Sequence, residues 1–287
     1  MAAPDVDSLT GTQTTGHEWD GIKELNTPLP KWWLYVFYST ILFAVVYCIL
    51  FPAWPIPGGY TAGLLDWSSR RLHNERLARL EEDRSVWVTE IRNTPLEQIV
   101  ANPNLLTIAT VGGKAVFANN CAPCHGTGGI GRPGGYPTLL DDDWIWGGTL
   151  EDIYTTVRHG IRNATDPEAR IAEMPAFGAD GLLTQPQIAA VADHIIALRG
   201  DGPENAEGAA IFAEQCSVCH GDLGKGIPEL GAPNLTDQIW LYGGTKPEIM
   251  AQITRPRHGV MPPWVGRLTE EQIKQVTVYV HQLGGGQ

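Results

Sequence analysis

The sequence predicts a mainly α-helical chain with one N-terminal transmembrane helix followed by two copies of one small helical domain. A run of 20 uncharged residues, 32–51, lies near the N-terminus. Six short segments between residues 115 and 188 reappear in the same order between 210 and 273. Strand signals are weak, and apolar residues recur at helical spacing, as at Ile188, Val191 and Ile195.

The uncharged run is long enough to cross a membrane. A helix of 20 residues spans roughly the 30 Å hydrocarbon core of a bilayer. Pro30 and Pro52 bracket the run, and Trp32, Trp33 and Trp54 supply aromatic residues at its two ends. A buried core helix and a cleaved signal peptide are the alternatives, but no basic stretch begins the chain as in a signal peptide. We therefore expect a transmembrane helix over residues 31–52.

Residues 53–107 predict a linker that is partly helical. Its first ten residues are rich in Pro and Gly, which is typical of a loop. Arginine and glutamate clusters between 63 and 100 then indicate a solvated helix. A helix face that packs on another subunit is the alternative.

The repeat divides the remainder into domain 108–200 and domain 201–287, with the boundary in the Gly/Asp-rich segment near Gly200. The matched segments begin at Ala115 and Ala210, Pro137 and Pro233, Trp144 and Trp240, Arg158 and Arg257, Met174 and Met261, and Leu183 and Leu268. The first copy is longer between its Arg-His-Gly and its Met-Pro. Each copy is expected to end in a helix, near 184–198 and 269–283.

Each copy contains one Cys-x-x-Cys-His motif, at 121–125 and at 216–220. Two cysteines at this spacing reach the two vinyl groups of one haem, and the next histidine is then held beneath the iron. The motif is a strong signature of covalent c-type haem, so zinc and redox-dithiol sites are weak alternatives. The covalent attachment residues are Cys121, Cys124, Cys216 and Cys219, and the proximal iron ligands are His125 and His220. The two motifs and the two repeats together predict two tandem class I cytochrome c domains.

The sixth iron ligands are predicted to be Met174 and Met261. These two of the chain's four methionines occupy matching Met-Pro positions late in each copy. A thioether ligand favours ferrous iron and raises the reduction potential. The default is that each methionine serves the haem of its own copy, and a crossed arrangement is the alternative. Met250 matches Tyr154 and is expected to fill the core.

Other histidines and aromatic residues have weaker assignments. His159 and His258 match each other and are alternative axial ligands. We expect instead that they contact the haem edge or the propionates, together with the neighbouring Arg158 and Arg257. Solvated side chains are a further alternative for them. Four aromatic residues pack on the macrocycles or fill the core, namely Trp144, Trp146, Trp240 and Tyr242. With His and Met on both irons, no position remains for a substrate, so the predicted chemistry is electron transfer with no catalytic residue.

Orientation and charge limit the function further. A count of positive residues around the helix would place its C-terminal side in the cytoplasm. Haem is attached to Cys-x-x-Cys-His outside the bacterial inner membrane, so we instead expect periplasmic haem domains and a cytoplasmic segment 1–30. The net charge is −12, shared evenly along the chain. No segment is basic, which excludes nucleic acid, and an acidic surface favours a basic protein partner.

The segments that flank the helix resemble one family closely. The family is the dihaem subunit III of cbb3-type cytochrome c oxidase. Its cytoplasmic start is similar to residues His17 to Asn26 and Pro28 to Trp33, and the end of its membrane helix is similar to residues Tyr47 to Pro55. The resemblance covers nearly the whole chain and is weakest in residues 63–110. It carries the haem ligands over onto the same cysteines, histidines and methionines.

The resemblance implies a role in respiration. The family subunit accepts electrons from soluble cytochrome c or the cytochrome bc complex. It passes them through a monohaem subunit to the catalytic subunit, which reduces oxygen and pumps protons. The alternatives are a dihaem carrier or subunit of a periplasmic dehydrogenase, a dihaem peroxidase, and a scaffold whose haems are incidental.

Overall fold

The computed structural model of the chain describes residues 5–286. They fall into two compact units, Met1–Asp83 and Arg84–Gln287. The helices are α1 Lys31–Leu50, α2 Ser69–Asn93, α3 Leu96–Ala101, α4 Pro103–Asn120, α5 Ala122–His125, α6 Leu150–His159, α7 Gln185–Leu198, α8 Ala206–Gln215, α9 Ser217–His220, α10 Lys246–Thr254 and α11 Glu270–His281. The strands are β1 Thr14–Trp19, β2 Ile22–Leu25, β3 Pro55–Ile56 and β4 Gly59–Tyr60. The mainly helical class is confirmed.

The first unit contains the predicted membrane helix and two small hairpins. Helix α1 has a mean hydropathy of 2.0 and no buried side chain. Among residues 5–286 it is the one helix that is long and apolar enough to cross a membrane. It ends before Pro52, because a proline disfavours helical geometry in the residue that precedes it. Before α1, β1 and β2 form an antiparallel hairpin that the weak strand signals did not predict.

The end of the predicted linker belongs to the packed second unit. Ile91 and Ile99 are each 0% exposed, and they form a core with Leu105 and with Val278 of α11. Ile91 is the one buried residue of α2, so the solvated part of the predicted linker ends near the C-terminus of that helix. Asn102 caps α4 by accepting hydrogen bonds from the backbone N–H groups of Asn104 and Leu105, at 3.0 and 3.3 Å.

Two further cores in the second unit each combine helices from both sequence repeats. One core joins α4 and α6 of the first repeat to α11 of the second, through Phe117, Ile153 and Val276. The other joins α7 of the first repeat to α8 and α10 of the second, through Val191 and Phe212. The repeats therefore exchange their closing helices. The boundary near Gly200, which follows from the repeat, is not a boundary in the packing.

Matched glycines allow the exchanged helices to approach closely. A Cβ built on Gly113 of α4 would overlap the carbonyl oxygen of Gln275 on α11. A Cβ built on Gly208 of α8 would overlap the carbonyl oxygen of Ala190 on α7. Both crossings therefore depend on the missing side chain. The same local sequence, Gly-x-x-x-Phe, makes the crossing in both repeats.

Candidate functional site

The two Cys-x-x-Cys-His motifs form one helical turn each. In the second repeat, Cys216 precedes the four-residue helix α9, which ends at His220. Residues three and four positions apart lie on one face of a helix. Cys216, Cys219 and His220 therefore point to the same side of α9. Helix α5 places Cys121, Cys124 and His125 in the same way.

Each motif histidine is oriented by a backbone carbonyl group. His220 Nδ1 lies 3.0 Å from the carbonyl oxygen of Pro233, and His125 Nδ1 lies 3.2 Å from that of Pro137. A carbonyl oxygen can only accept, so Nδ1 carries the proton and donates it. The lone pair is then on Nε2. Burial lowers the pKa of both histidines, against the opposing effect of these hydrogen bonds. A neutral imidazole with Nε2 available is the form that binds a metal.

The first cysteine of each motif is enclosed, and the second is exposed. Burial raises the pKa of the free Cys216 and Cys121 thiols to about 11, with a smaller contribution from the neighbouring motif cysteine. Such thiols are protonated at neutral pH. Cys219 and Cys124 are exposed. Among residues 5–286, no group of three or more His, Cys, Asp and Glu side chains is arranged as a metal ion site.

The second motif lies in a cavity of about 460 Å³. Its walls contain Cys216, Cys219, His220 and Met174. The apolar part of the wall is formed by Phe177, Val191, Ile195, Phe212, Leu235, Trp240, Ile249 and Ile253. Volumes of this order and largely apolar walls are typical of cofactor sites. Two cysteines, one imidazole and one thioether around an apolar slot match the donor set of haem c, so the residues present fit this group.

The methionine in this cavity comes from the other repeat. Met174 belongs to the first repeat, yet it lines the cavity of the second motif and packs on the core that contains Cys216. Met261 belongs to the second repeat and packs on the core that Cys121 contacts. The structure therefore places each methionine with the motif of the other repeat, as the crossed alternative expects, and not with the motif of its own repeat, as the default expects.

The exchange point is a short antiparallel bridge between the repeats. The N–H of Ile161 donates to the carbonyl oxygen of Met261, and the N–H of Met261 donates to that of Ile161, both at 3.0 Å. The chain thus leaves the first core after Gly160 and returns to it at Met261. A Cβ on Gly160 would overlap the Met261 carbonyl oxygen, so the crossing requires glycine there.

The matched histidines 159 and 258 have different surroundings. His159 Nδ1 lies 3.1 Å from Asp166 and its Nε2 lies 3.2 Å from Glu168. Both ring nitrogens therefore face carboxylates, which disfavours His159 as an iron ligand. His258 lines the cavity, and its Nε2 accepts a 3.2 Å hydrogen bond from the backbone N–H of Met174. It contacts the candidate ligand rather than replacing it.

The remaining aromatic and basic residues divide between the cavity and the core. Trp240 and Tyr242 line the cavity, whereas Trp146 is 9% exposed and packs on Gly231 of the second repeat. Arg257 lies over the Tyr242 ring, 4.6 Å from its centre, and also lines the cavity. Arg158 is instead paired with Glu270 of α11 at 2.7 Å. Met250 packs against the core, as expected.

Several contributing residues were not identified from the sequence. The carbonyl groups of Pro137 and Pro233 orient the histidines, and both prolines stand in matched segments that signalled only the repeat. Phe117 packs on Tyr279 at 5.4 Å between ring centres, and Phe212 packs on His194 at 5.2 Å. The correspondence of Tyr279 with His194 was visible in the sequence. It did not reveal that each would meet the phenylalanine of the other repeat.

Comparisons with known proteins agree with this architecture. A family described as the N-terminal domain of cytochrome oxidase-cbb3, FixP, matches residues 11–57. A family described as cytochrome c oxidase, cbb3-type, subunit III matches residues 109–195 and again 203–280. These two matches coincide with the two sequence repeats.

Curated relatives match along almost the whole chain. The cbb3-type cytochrome c oxidase subunit CcoP of Cereibacter sphaeroides is 52% identical over 277 residues, which cover 96% of this chain and 95% of that protein. The cbb3-type cytochrome c oxidase subunit FixP of Azorhizobium caulinodans is 51% identical over 286 residues, which cover 98% of this chain and 96% of that protein. Subunit CcoP of Azospirillum brasilense is 46% identical, with both chains fully covered.

Proposed function

Because the chain belongs to the family of cbb3-type cytochrome c oxidase subunit III, we propose that it is the membrane-anchored subunit through which electrons reach the oxidase. Family membership makes it a cytochrome c subunit of that complex. The finer parts of the proposal are the two haems, their ligands, the orientation in the membrane and the electron donors.

The proposed cofactors are two haem c groups, one for each motif. Haem c supplies a one-electron ferric/ferrous couple when it is bound. Cys121 and Cys124 would hold one group, with His125 and Met261 as axial ligands. Cys216 and Cys219 would hold the other, with His220 and Met174 as axial ligands. The observation that carries this proposal is the single apolar cavity that contains all four donor residues of the second set.

The residues around the second iron would keep it six-coordinate. The Pro233 carbonyl holds His220 in one tautomer, and the Phe212 and Val191 side chains contribute apolar surface to the cavity wall. A site closed by imidazole on one side and thioether on the other offers no open position for a substrate. We therefore propose that the chain transfers electrons and has no catalytic site of its own, which disfavours a peroxidase.

The proposed topology places the N-terminus in the cytoplasm and the second unit in the periplasm. Because haem is attached to such motifs outside the inner membrane, both motifs must lie on the periplasmic side. A net charge of −12 would attract a basic electron donor such as a soluble cytochrome c, and the cytochrome bc complex is the other proposed donor. The proposed acceptors are the monohaem subunit and then the catalytic subunit of the oxidase.

Purification of the full chain in mild detergent tests the proposal. We expect the monohaem and catalytic subunits of an oxidase to co-purify, and a pyridine haemochrome assay to give two haem c groups per chain. A matched variant with Cys216→Ala and Cys219→Ala should retain one haem c and lose electron transfer from reduced cytochrome c to oxygen. A chain that purifies alone, or a variant complex with undiminished oxidase activity, would contradict the proposal.

A further inference from the structure

Residues 162–173 of the first repeat have no counterpart in the second. In the second repeat, Val260 is followed directly by Met261, whereas in the first, twelve residues separate Ile161 from Met174. This insertion begins at Arg162, immediately after the bridge where the repeats exchange. The two proposed cofactor sites therefore differ at this insertion, which lies where the chain of the first repeat enters the second site.

Arg162 is held in the wall of the second cavity. Its Nε donates a 2.7 Å hydrogen bond to the carbonyl oxygen of Gly259, and its Nη1 donates a 3.0 Å hydrogen bond to that of Ala172. These two bonds fix the plane of the guanidinium group. A guanidinium has five N–H donors, so three donors remain for another acceptor.

The backbone of Arg162 is in the left-handed region, with φ of 50°. Of the non-glycine residues described in the second unit, it alone has a positive φ. This conformation costs an L-residue about 1 kcal/mol or more, and such strain is concentrated at functional sites. Glycine would adopt it without strain, so an arginine here indicates that the side chain is needed.

The positive charge of Arg162 is only partly compensated. Burial lowers the pKa of its guanidinium group, and Tyr242 and Glu173 oppose this effect from a distance. In the part of the chain that the structure describes, no carboxylate oxygen lies within 4.0 Å of its side-chain nitrogens. The two other cations in the cavity wall differ: Arg132 is exposed, and Arg257 is exposed and lies over Tyr242.

We propose that Arg162 binds a propionate carboxylate of the haem held in the second cavity, so that the first repeat supplies both Met174 and an anion-binding group to that haem. The inference rests on the proposed haem at Cys216 and Cys219. Propionates are the anionic groups of haem, and a planar guanidinium with three free donors fits a carboxylate with two parallel hydrogen bonds. Arg162 is thus a positioning and potential-tuning residue.

A fixed positive charge beside a haem stabilises the ferrous form, which has one positive charge fewer than the ferric form. Arg162 should therefore raise the potential of the second haem. Because Met261 stands directly after Val260, the second repeat has no insertion that could supply the same group to the first haem. The two otherwise similar sites would then differ in potential through one residue.

The test is a spectroelectrochemical titration of the purified oxidase complex with Arg162→Asn, Arg162→Lys and Arg255→Asn. Asparagine tolerates the left-handed backbone, so Arg162→Asn removes the guanidinium without new strain. We expect one of the two haem c potentials to fall by an amount that corresponds to about a tenfold weaker preference for the reduced form, 59 mV for a one-electron couple. Arg255→Asn removes the same charge from an exposed position outside the cavity wall and should shift neither potential comparably.

Resonance Raman spectra give a second measurement that does not depend on net charge. Arg162→Lys keeps the charge but loses the planar pair of donors, so the propionate bending band of one haem should move. Equal shifts in Arg162→Asn and Arg255→Asn, or an unchanged band in Arg162→Lys, would overturn the inference. If every variant still contains two haem c groups per chain, a failed test rules out the role of Arg162 but does not contradict the proposed haem groups.

Discussion

The backbone N–H of Met174 donates a hydrogen bond of 3.2 Å to Nε2 of His258. These residues are 84 positions apart and belong to different sequence repeats. The bond holds the Met-Pro segment of the first repeat against the loop of the second. It lies beside other contacts between the repeats at the exchange point, among them the Ile161–Met261 bridge and the Arg162–Gly259 hydrogen bond.

Removal of this acceptor should loosen Met174. In His258→Ala, the Met174 N–H loses its partner, and we expect a smaller fraction of methionine-ligated second haem and a lower potential. Glutamine can accept the same bond through its side-chain oxygen, so His258→Gln should restore part of both properties. The near-infrared methionine-to-iron band and a redox titration measure them. His159→Ala, at the matched position, should leave the second haem unchanged, and equal effects from both alanine variants would argue against the role of His258.

The crossed pairing of methionines can be tested in a chain with one haem. A background of Cys121→Ala and Cys124→Ala retains only the second motif. In that background, Met174→Ala should abolish the near-infrared methionine band, because Met174 lines the cavity of His220. Met261→Ala should preserve the band, because Met261 packs on the other core. The opposite pattern would mean that each methionine serves its own repeat.

The helix crossings should depend on Gly113 and Gly208. Alanine at either position would force its Cβ into a backbone carbonyl group of the partner helix. Overpacking of this kind costs about 1–3 kcal/mol or more, so the thermal midpoint of Soret absorbance loss should fall clearly.

The adjacent Gly112 provides the control, since its Cβ would meet only the end of the Gln275 side chain at 2.7 Å. Gln275 can move there, and alanine favours the helix over glycine by about 1 kcal/mol. Gly112→Ala should therefore be nearly neutral. A Gly113→Ala protein as stable as Gly112→Ala would contradict the close crossing.

The carboxyl group of Asp143 should make stability depend on pH. Burial, followed by the charges of Asp237, Asp141 and Asp142, raises the pKa of Asp143 from 3.8 to about 6. The folded state therefore binds a proton more tightly than the unfolded state, and this contribution to stability is lost as the pH rises from about 4 to 6. Because Asp143 is partly exposed, we expect the loss to be on the order of 1 kcal/mol.

Asp143→Asn should remove this dependence and increase the free energy of unfolding at pH 7. Denaturant titrations of the full chain at pH 4.5 and pH 7 measure the difference. Asp142→Asn is the comparison, because Asp142 is exposed and shows no such burial. An Asp143→Asn protein whose stability falls between these pH values as much as that of the unsubstituted chain would contradict the assignment.

The sequence by itself predicted the chemistry that we propose for this protein. An uncharged run of 20 residues, Cys-x-x-Cys-His at two positions and matched Met-Pro segments are local patterns, so the helix, the haem attachment and the candidate ligands followed from them. The segments that flank the helix identified the family. Each of these inferences needs only residues close together in the chain.

The tertiary structure alone decided which methionine lies with which Cys-x-x-Cys-His motif. The two repeats have similar closing helices, α7 and α11. By sequence, either of them could pack on the Gly-x-x-x-Phe face of α4 or on that of α8. The choice depends on where the chain crosses, at Gly160 and Met261, and on how far a connecting segment can reach. Long-range packing of this kind has no local signature. For the same reason, Arg162 could be proposed as a propionate-binding residue only after the exchange had placed it beside His258 and Gly259.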